Sequence, residues 1–209
     1  MIFVIGDSHI SFLTQKMHYE IEPYPYIYDG SLLNYKIIRI GNDITVTAYS
    51  LKKSKEKIKE IIKQLDIKFN DLIIFSFGEI DIRFYMSKNV VDGIDPIITF
   101  ESSLCNYEEF LSEIKKDYLH IGVLAPIPQC IEENELNSYM GFLNRKIRDE
   151  YTIIYNERLK KICNRLDIKM IDLRKYIMKN NLPNRKMYLE DYIHLKGTCI
   201  SFFENELKN

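Results

Sequence analysis

The sequence predicts an α/β fold, a parallel sheet flanked by helices, in one domain spanning residues 1–209. Three observations carry this. Apolar runs of strand length alternate with longer amphipathic segments, the signature of strand–helix repeats. One run, Asp71 to Phe77, is apolar nearly throughout, as a central strand covered on both faces must be. The length is within the usual range for one α/β domain and is enough to bury a substantial core.

In chain order, Ile2 to Ile5 is the first strand, cut short at Gly6-Asp7-Ser8-His9. Tyr24, Tyr26 and Tyr28 alternate with Pro23, Pro25 and Ile27, a stretch too rich in proline for a central strand. It reads first as a surface loop tucking its rings onto the domain, and second as an aromatic platform for a sugar ring. Lys36 to Ile40 is the second strand. Ser54 to Leu65 carries Ile58, Ile61, Ile62 and Leu65 at spacings of three and four, a helix with one apolar face. The lysines between Lys52 and Lys63 form its solvated face rather than a nucleic-acid patch. Asp71 to Phe77, His120 to Ala125 and Lys169 to Leu173 complete the strands, giving five, with helices over Tyr107 to Tyr118 and Tyr151 to Leu166. A last helix follows from Lys196 to Leu207.

Composition narrows the function classes. Lys and Arg number 29 against 30 Asp and Glu, a formal net charge of -1, so there is no global field of the kind that attracts nucleic acid. Cys105, Cys130, Cys163 and Cys199 are widely spaced, with no C-x-x-C pair, which suggests neither zinc nor a disulfide framework and points to a reducing cytoplasmic location. The N-terminal apolar run is too short for a signal peptide, and no stretch approaches the ~20 apolar residues of a membrane span.

The chemistry lies at the two ends of the chain. Ser8 is delivered into a turn by the first strand, and Asp191 and His194 stand near the C-terminus. A serine hydroxyl becomes nucleophilic at neutral pH when a histidine takes its proton and a carboxylate orients that histidine. If the sheet is parallel, the strand ends form one rim, where α/β proteins place ligands. Ser8, Gly41, Gly78-Glu79 and Pro126 to Pro128 each follow a strand and converge there, and His194 arrives from the loop before the final helix.

The Gly-Asp-Ser after the first strand and the distal Asp-x-x-His together resemble the SGNH/GDSL hydrolase family, over essentially the whole chain though through only about ten residues. The resemblance implies a three-layer α/β/α sandwich of flavodoxin-like type and a Ser8–His194–Asp191 triad. It also implies an oxyanion hole built from the backbone N–H groups of Ser8 and Gly41, each such donor worth roughly 3 kcal/mol. No metal and no organic cofactor is required.

The family's third oxyanion donor is an asparagine in a Gly-x-Asn-Asp-like motif, but this chain has Gly78-Glu79-Ile80-Asp81 with Arg83 beyond. An ionised glutamate only accepts hydrogen bonds. Glu79 is therefore protonated and donating, turned away to pair with Arg83 four residues on, or simply no donor at all. The second reading is preferred, with Arg83 left to hold an anionic or sugar-like substrate. Asp7 is assigned to ordering the turn. His9, read as pointing elsewhere on the turn, His18 and His120 are assigned structural or exposed roles.

The resulting expectation is a serine esterase that removes acyl groups from an O-acylated, carbohydrate-type small molecule. The carbohydrate preference rests chiefly on the Gly-Glu-Ile-Asp variant, which resembles a family branch associated with bacterial surface-polysaccharide modification. The alternatives are an O-acyltransferase with the same triad and a catalytically silent carbohydrate-binding protein on the same fold. A nucleotide-binding fold is disfavoured, because no glycine-rich phosphate loop follows the first strand.

Overall fold

The computed structural model describes residues 1–30, 34–41, 47–48, 50–131 and 143–208. Its strands are β1 (Ile2–Gly6), β2 (Tyr28–Asp29), β3 (Tyr35–Arg39), β4 (Leu72–Ser76), β5 (Ile121–Leu124) and β6 (Lys169–Ile171), which form one sheet in the order β2-β3-β1-β4-β5-β6. All neighbours are parallel except β2 and β3. Without β2, the five parallel strands run second-first-third-fourth-fifth, the flavodoxin-like doubly wound order. The helices are α1 (Leu51–Gln64), α2 (Ser87–Val91), α3 (Pro96–Asp117), α4 (Arg145–Arg165), α5 (Arg174–Ile177) and α6 (Ile200–Lys208). A separate hairpin pairs β7 (Met178–Lys179) with β8 (Leu182–Pro183).

Alternation along the strands divides the core into two layers. Phe3, Ile5, Ile38, Ile73, Phe75, Ile121 and Val123 face α1, α3 and α4. Val4, Ile37, Ile74, Leu124 and Ile171 face Ile10, Phe12, Leu13 and Phe203 of the opposite layer. The inner strands β1, β4 and β5 therefore bury both faces, which is why these segments read as continuous apolar runs.

The short helices α2 and α5 and the hairpin have no counterpart in the sequence reading, and the last helix begins at Ile200 rather than Lys196. Three further differences concern the sheet and its longer helices. A sixth strand appears because Tyr28 and Asp29, just beyond the prolines, pair antiparallel with Ile37 and Lys36 at the sheet edge. An edge tolerates a two-residue strand there, and Lys36 also forms an ion pair with Asp29. Helix α3 begins at Pro96, well before Tyr107. The Asp95 side chain accepts the Ile97 N–H at 2.9 Å and Pro96 occupies the first turn, so the helix starts at a local cap signal rather than where the strongest apolar stripe begins. Likewise α4 starts at Arg145, where the Asn144 side chain accepts the Ile147 N–H at 3.0 Å.

The lysine-rich face of α1 is partly satisfied by α3. Lys55 reaches Glu109 at 2.7 Å and Glu113 at 2.6 Å, and Lys59 also pairs with Glu113. No helix of the described residues is long and apolar enough to cross a membrane, and none of the four cysteines is in a disulfide.

Candidate active site

Ser8 opens a 3-10 helix, Ser8–Thr14, directly after β1. Asp7 caps it, accepting the His9 N–H at 2.9 Å through Oδ1, so the strand stops sharply and leaves Ser8 half-buried on the rim. On the other side, the loop before the last helix is tied down by its own backbone. Leu189 N–H donates to His194 O at 2.8 Å, and Cys130 N–H donates to Tyr192 O at 2.9 Å. The Tyr188 hydroxyl donates to Pro128 O.

Within that loop Asp191 has two tasks. Its Oδ1 accepts the backbone N–H of Ile193 at 2.9 Å and of His194 at 3.0 Å, and its Oδ2 lies 2.6 Å from His194 Nδ1. His194 Nε2 lies 2.8 Å from Ser8 Oγ. Residues 186 positions apart thus form one continuous chain from hydroxyl to imidazole to carboxylate. Burial is the main influence on Asp191 and would raise its pKa. The His194 hydrogen bond and the two backbone N–H groups outweigh it and hold the carboxyl well below its ordinary range. For His194, burial pulls the pKa down, Asp191 pulls it up, and His9 and His18 add to the decrease, leaving it at about 4. The ring is neutral at pH 7 and its Nε2 can accept a proton.

Glu79 is 4 % exposed. Its Oε1 accepts Arg83 Nε–H at 2.8 Å and a hydrogen bond from the Gln129 amide, and its Oε2 lies 3.0 Å from His9 Nε2. Burial would raise its pKa, but Arg83 and His9 outweigh burial and hold it far below the usual carboxylate range. Glu79 is therefore ionised, with Oε1 accepting from Arg83 and Gln129 and Oε2 in an ion-pair contact with His9. Gly78, at φ +108°, makes the turn that introduces it, close against Tyr155 and Pro126.

No protein-family model matches the chain, and no curated protein sequence does. Solved structures do. A GDSL-like lipase from Bacteroides thetaiotaomicron superposes with a TM-score of 0.58 at 13% identity, over 99% of this chain and 85% of the other. A variant of an acetyl xylan esterase from Geobacillus stearothermophilus superposes with a TM-score of 0.59 at 16% identity, over 99% of this chain and 93% of the other. The chain has the SGNH hydrolase fold.

On this SGNH fold, Gly41 leaves the sheet two residues after Arg39, which pairs with Gly6, and Ile40 N–H donates to Gly6 O at 2.7 Å. That register carries Gly41 past the end of β3 alongside the turn holding Ser8. Arg83 lies within a π-helix, Asp81–Met86, beyond the end of β4.

The histidine assignments need correction. His9 does not point elsewhere, and His18 is not a bystander. The His9 ring stacks on His194 with centroids 4.7 Å apart, and the His18 ring stacks on His194 at 4.1 Å and 4°. His194 thus stacks with two other imidazoles. A short 3-10 helix after β1 folds His9 inward, a placement that neither periodicity nor burial propensity indicates. Asp7-x-His9 was the available signal, since an acid two residues before a histidine on a capped turn can hold its ring. Gln129 gave none.

His18, Asp191 and His194 also place three potential metal-binding atoms within 4.8 Å of one another. The His18 and His194 rings are parallel, so their in-plane lone pairs do not converge on one ion, and His194 already engages Ser8 and Asp191. The arrangement fits proton transfer to and from Ser8 better than metal binding.

Proposed function

We propose that this protein is a serine esterase that deacylates an O-acylated, carbohydrate-type substrate. The observation that carries the reading is the unbroken contact chain Ser8 Oγ–His194 Nε2–Asp191 Oδ2, at 2.8 and 2.6 Å. In this mechanism Ser8 attacks the ester carbonyl while His194 Nε2 takes its proton, and Asp191 holds the Nδ1–H and stabilises the imidazolium. The oxyanion is received by the N–H groups of Ser8 and Gly41. Glu79, ionised and engaged elsewhere, supplies no third donor. His194 then returns the proton to the leaving alcohol, and water, activated by the same ring, releases the acyl group from Ser8.

The carbohydrate preference is supported by the similar folds, several of which are acetyl xylan esterases. The experiment is labelling with a fluorophosphonate probe, adduct mapping by peptide mass spectrometry, and acetate release from acetylated xylo-oligosaccharides, with His194→Ala as control. Labelling of Ser8 that vanishes in the control, together with acetate release, supports the esterase. Labelling without release favours an acyltransferase. A folded protein that is never labelled refutes both and favours a carbohydrate-binding role.

A further inference from the structure

His9 directly follows the serine and is 5 % exposed. Each of its ring nitrogens meets a carboxylate: Nδ1 lies 2.9 Å from Asp7 Oδ1, and Nε2 lies 3.0 Å from Glu79 Oε2. A neutral imidazole carries one N–H and one lone pair, so one of these contacts would set a lone pair against a carboxylate oxygen. With Glu79 ionised, the doubly protonated ring is the form that sets no lone pair against either carboxylate: Nδ1–H donates to Asp7, and Nε2 faces Glu79 in an ion-pair contact that is not aligned as a hydrogen bond. Glu79 is in turn paired with Arg83, so the buried charges alternate through Asp7, His9, Glu79 and Arg83.

The same ring lies against His194, inclined by 29°. We propose that His9 is a positioning residue for His194, a buried imidazolium clamped between Asp7 and Glu79 whose fixed charge and ring face keep His194 neutral and aimed at Ser8. The proposal rests on reading His194 as the base of the esterase mechanism.

The groups around the pair are Asp7 and Ser8 from the turn after β1, His18 from the next turn, Glu79 and Arg83 beyond β4, and Asp191 from the C-terminal loop. Asp191 alone would favour a protonated His194. A cation stacked on the ring works against a second positive charge and restores the neutral base. The pKa directions agree with the geometry. Burial lowers that of His9, but Glu79 and Asp7 outweigh it and raise it to about 10. A second consequence concerns the other half of the proton cycle. An imidazolium formed on His194 beside a fixed cation is a stronger acid, and so returns its proton more readily to a poor alkoxide leaving group.

The test is an NMR titration of the full chain with 15N-labelled imidazoles, from pH 4 to 9, for the wild type, His9→Gln and Asp7→Asn, alongside kcat/KM against pH with p-nitrophenyl acetate. In the wild type His9 stays imidazolium beyond pH 8 while His194 is already neutral at pH 6. In His9→Gln the His194 midpoint rises by about one pH unit or more, from the loss of a charge this close, and the acid limb of kcat/KM moves with it. Asp7→Asn keeps the ring but weakens the clamp, so His9 titrates at lower pH; this variant decides the matter if His9→Gln does not fold. A wild-type His9 that is neutral at pH 7, or a His194 midpoint unmoved in folded His9→Gln, overturns the proposal. The NMR readout does not depend on turnover, so absent esterase activity with the expected titrations would refute the functional reading and leave the His9–His194 coupling standing.

Discussion

Glu79 Oε1 accepts the Arg83 Nε–H at 2.8 Å, four residues on, with Glu79 buried and Arg83 largely so. A buried ion pair adds little over an apolar substitute, but removing one partner strands the other charge away from water. Glu79→Ala leaves both Arg83 and His9 without their shared counter-ion. It should cost about 3–5 kcal/mol and lower the melting temperature by roughly 10 °C. A thermal or urea melt within about 1 kcal/mol of wild type would show that the network is not integral to the fold.

Asp191→Asn separates orientation from charge. The amide oxygen can still accept the N–H groups of Ile193 and His194, so the loop should persist. The amide N–H, however, favours the tautomer with the proton on Nε2, which cannot accept from Ser8. A fall in kcat of about 10⁴-fold with an unchanged melting temperature is expected, that being the scale for a triad carboxylate neutralised in this way. A loss under tenfold would count against Asp191 as the orienting acid.

Stability should fall on both sides of neutrality, for two different histidines. His9 has its pKa raised to about 10, so its contribution is complete below about 6.5, the unfolded value, and drains away as pH rises through 10. His194 is depressed to about 4, so as pH falls from about 6.5 toward 4 the unfolded chain takes up a proton that the native ring refuses. Glu79 and Asp191, both lowered, add a further loss at more acidic pH. Urea melts at pH 5, 7 and 9 should give the highest midpoint at pH 7; a midpoint still climbing at pH 9 would contradict the charged His9.

Two glycines make a controlled comparison. Gly78 has φ +108°, and a Cβ there would meet Tyr155 Oη at 2.9 Å and Cε1 at 3.0 Å, whereas Gly93, at φ +74°, would meet nothing within 4 Å. Gly93→Ala should cost only backbone strain, about 1 kcal/mol. Gly78→Ala adds a collision with the buried Tyr155 ring, for about 2–3 kcal/mol in all, and it should also displace Glu79. Equal costs in a denaturation series would mean that the Tyr155 contact yields freely.

The sheet was legible because parallel strands covered on both faces have no choice but to be apolar, as at Ile73, Ile74 and Phe75, all fully buried. Strand Tyr28–Asp29 was not, since two residues at an edge carry no periodicity, and the start of α3 lay in a cap rather than in an apolar stripe. At the site, Ser8, Asp191 and His194 could be named because the chemistry demands those residue types in a recognisable order. The flanking His9, His18 and Gln129 could not, because a histidine or glutamine is defined by what folds against it. Only the tertiary structure brings Asp7, Glu79 and His194 around one imidazole.

The strand that delivers Ser8 and the loop that carries His194 differ in how firmly they are held. β1 lies inside the sheet between β3 and β4, with Val4 and Ile5 wholly buried, so its amides exchange with solvent only when the whole sheet opens. His194 rides on an irregular loop joined to the body through a handful of bonds from Cys130, Pro128 and its own backbone. Warming is therefore expected to loosen His194 before it disturbs Ser8. Local opening of this loop, with Ser8 still seated on an intact sheet, is the expected first step of thermal inactivation.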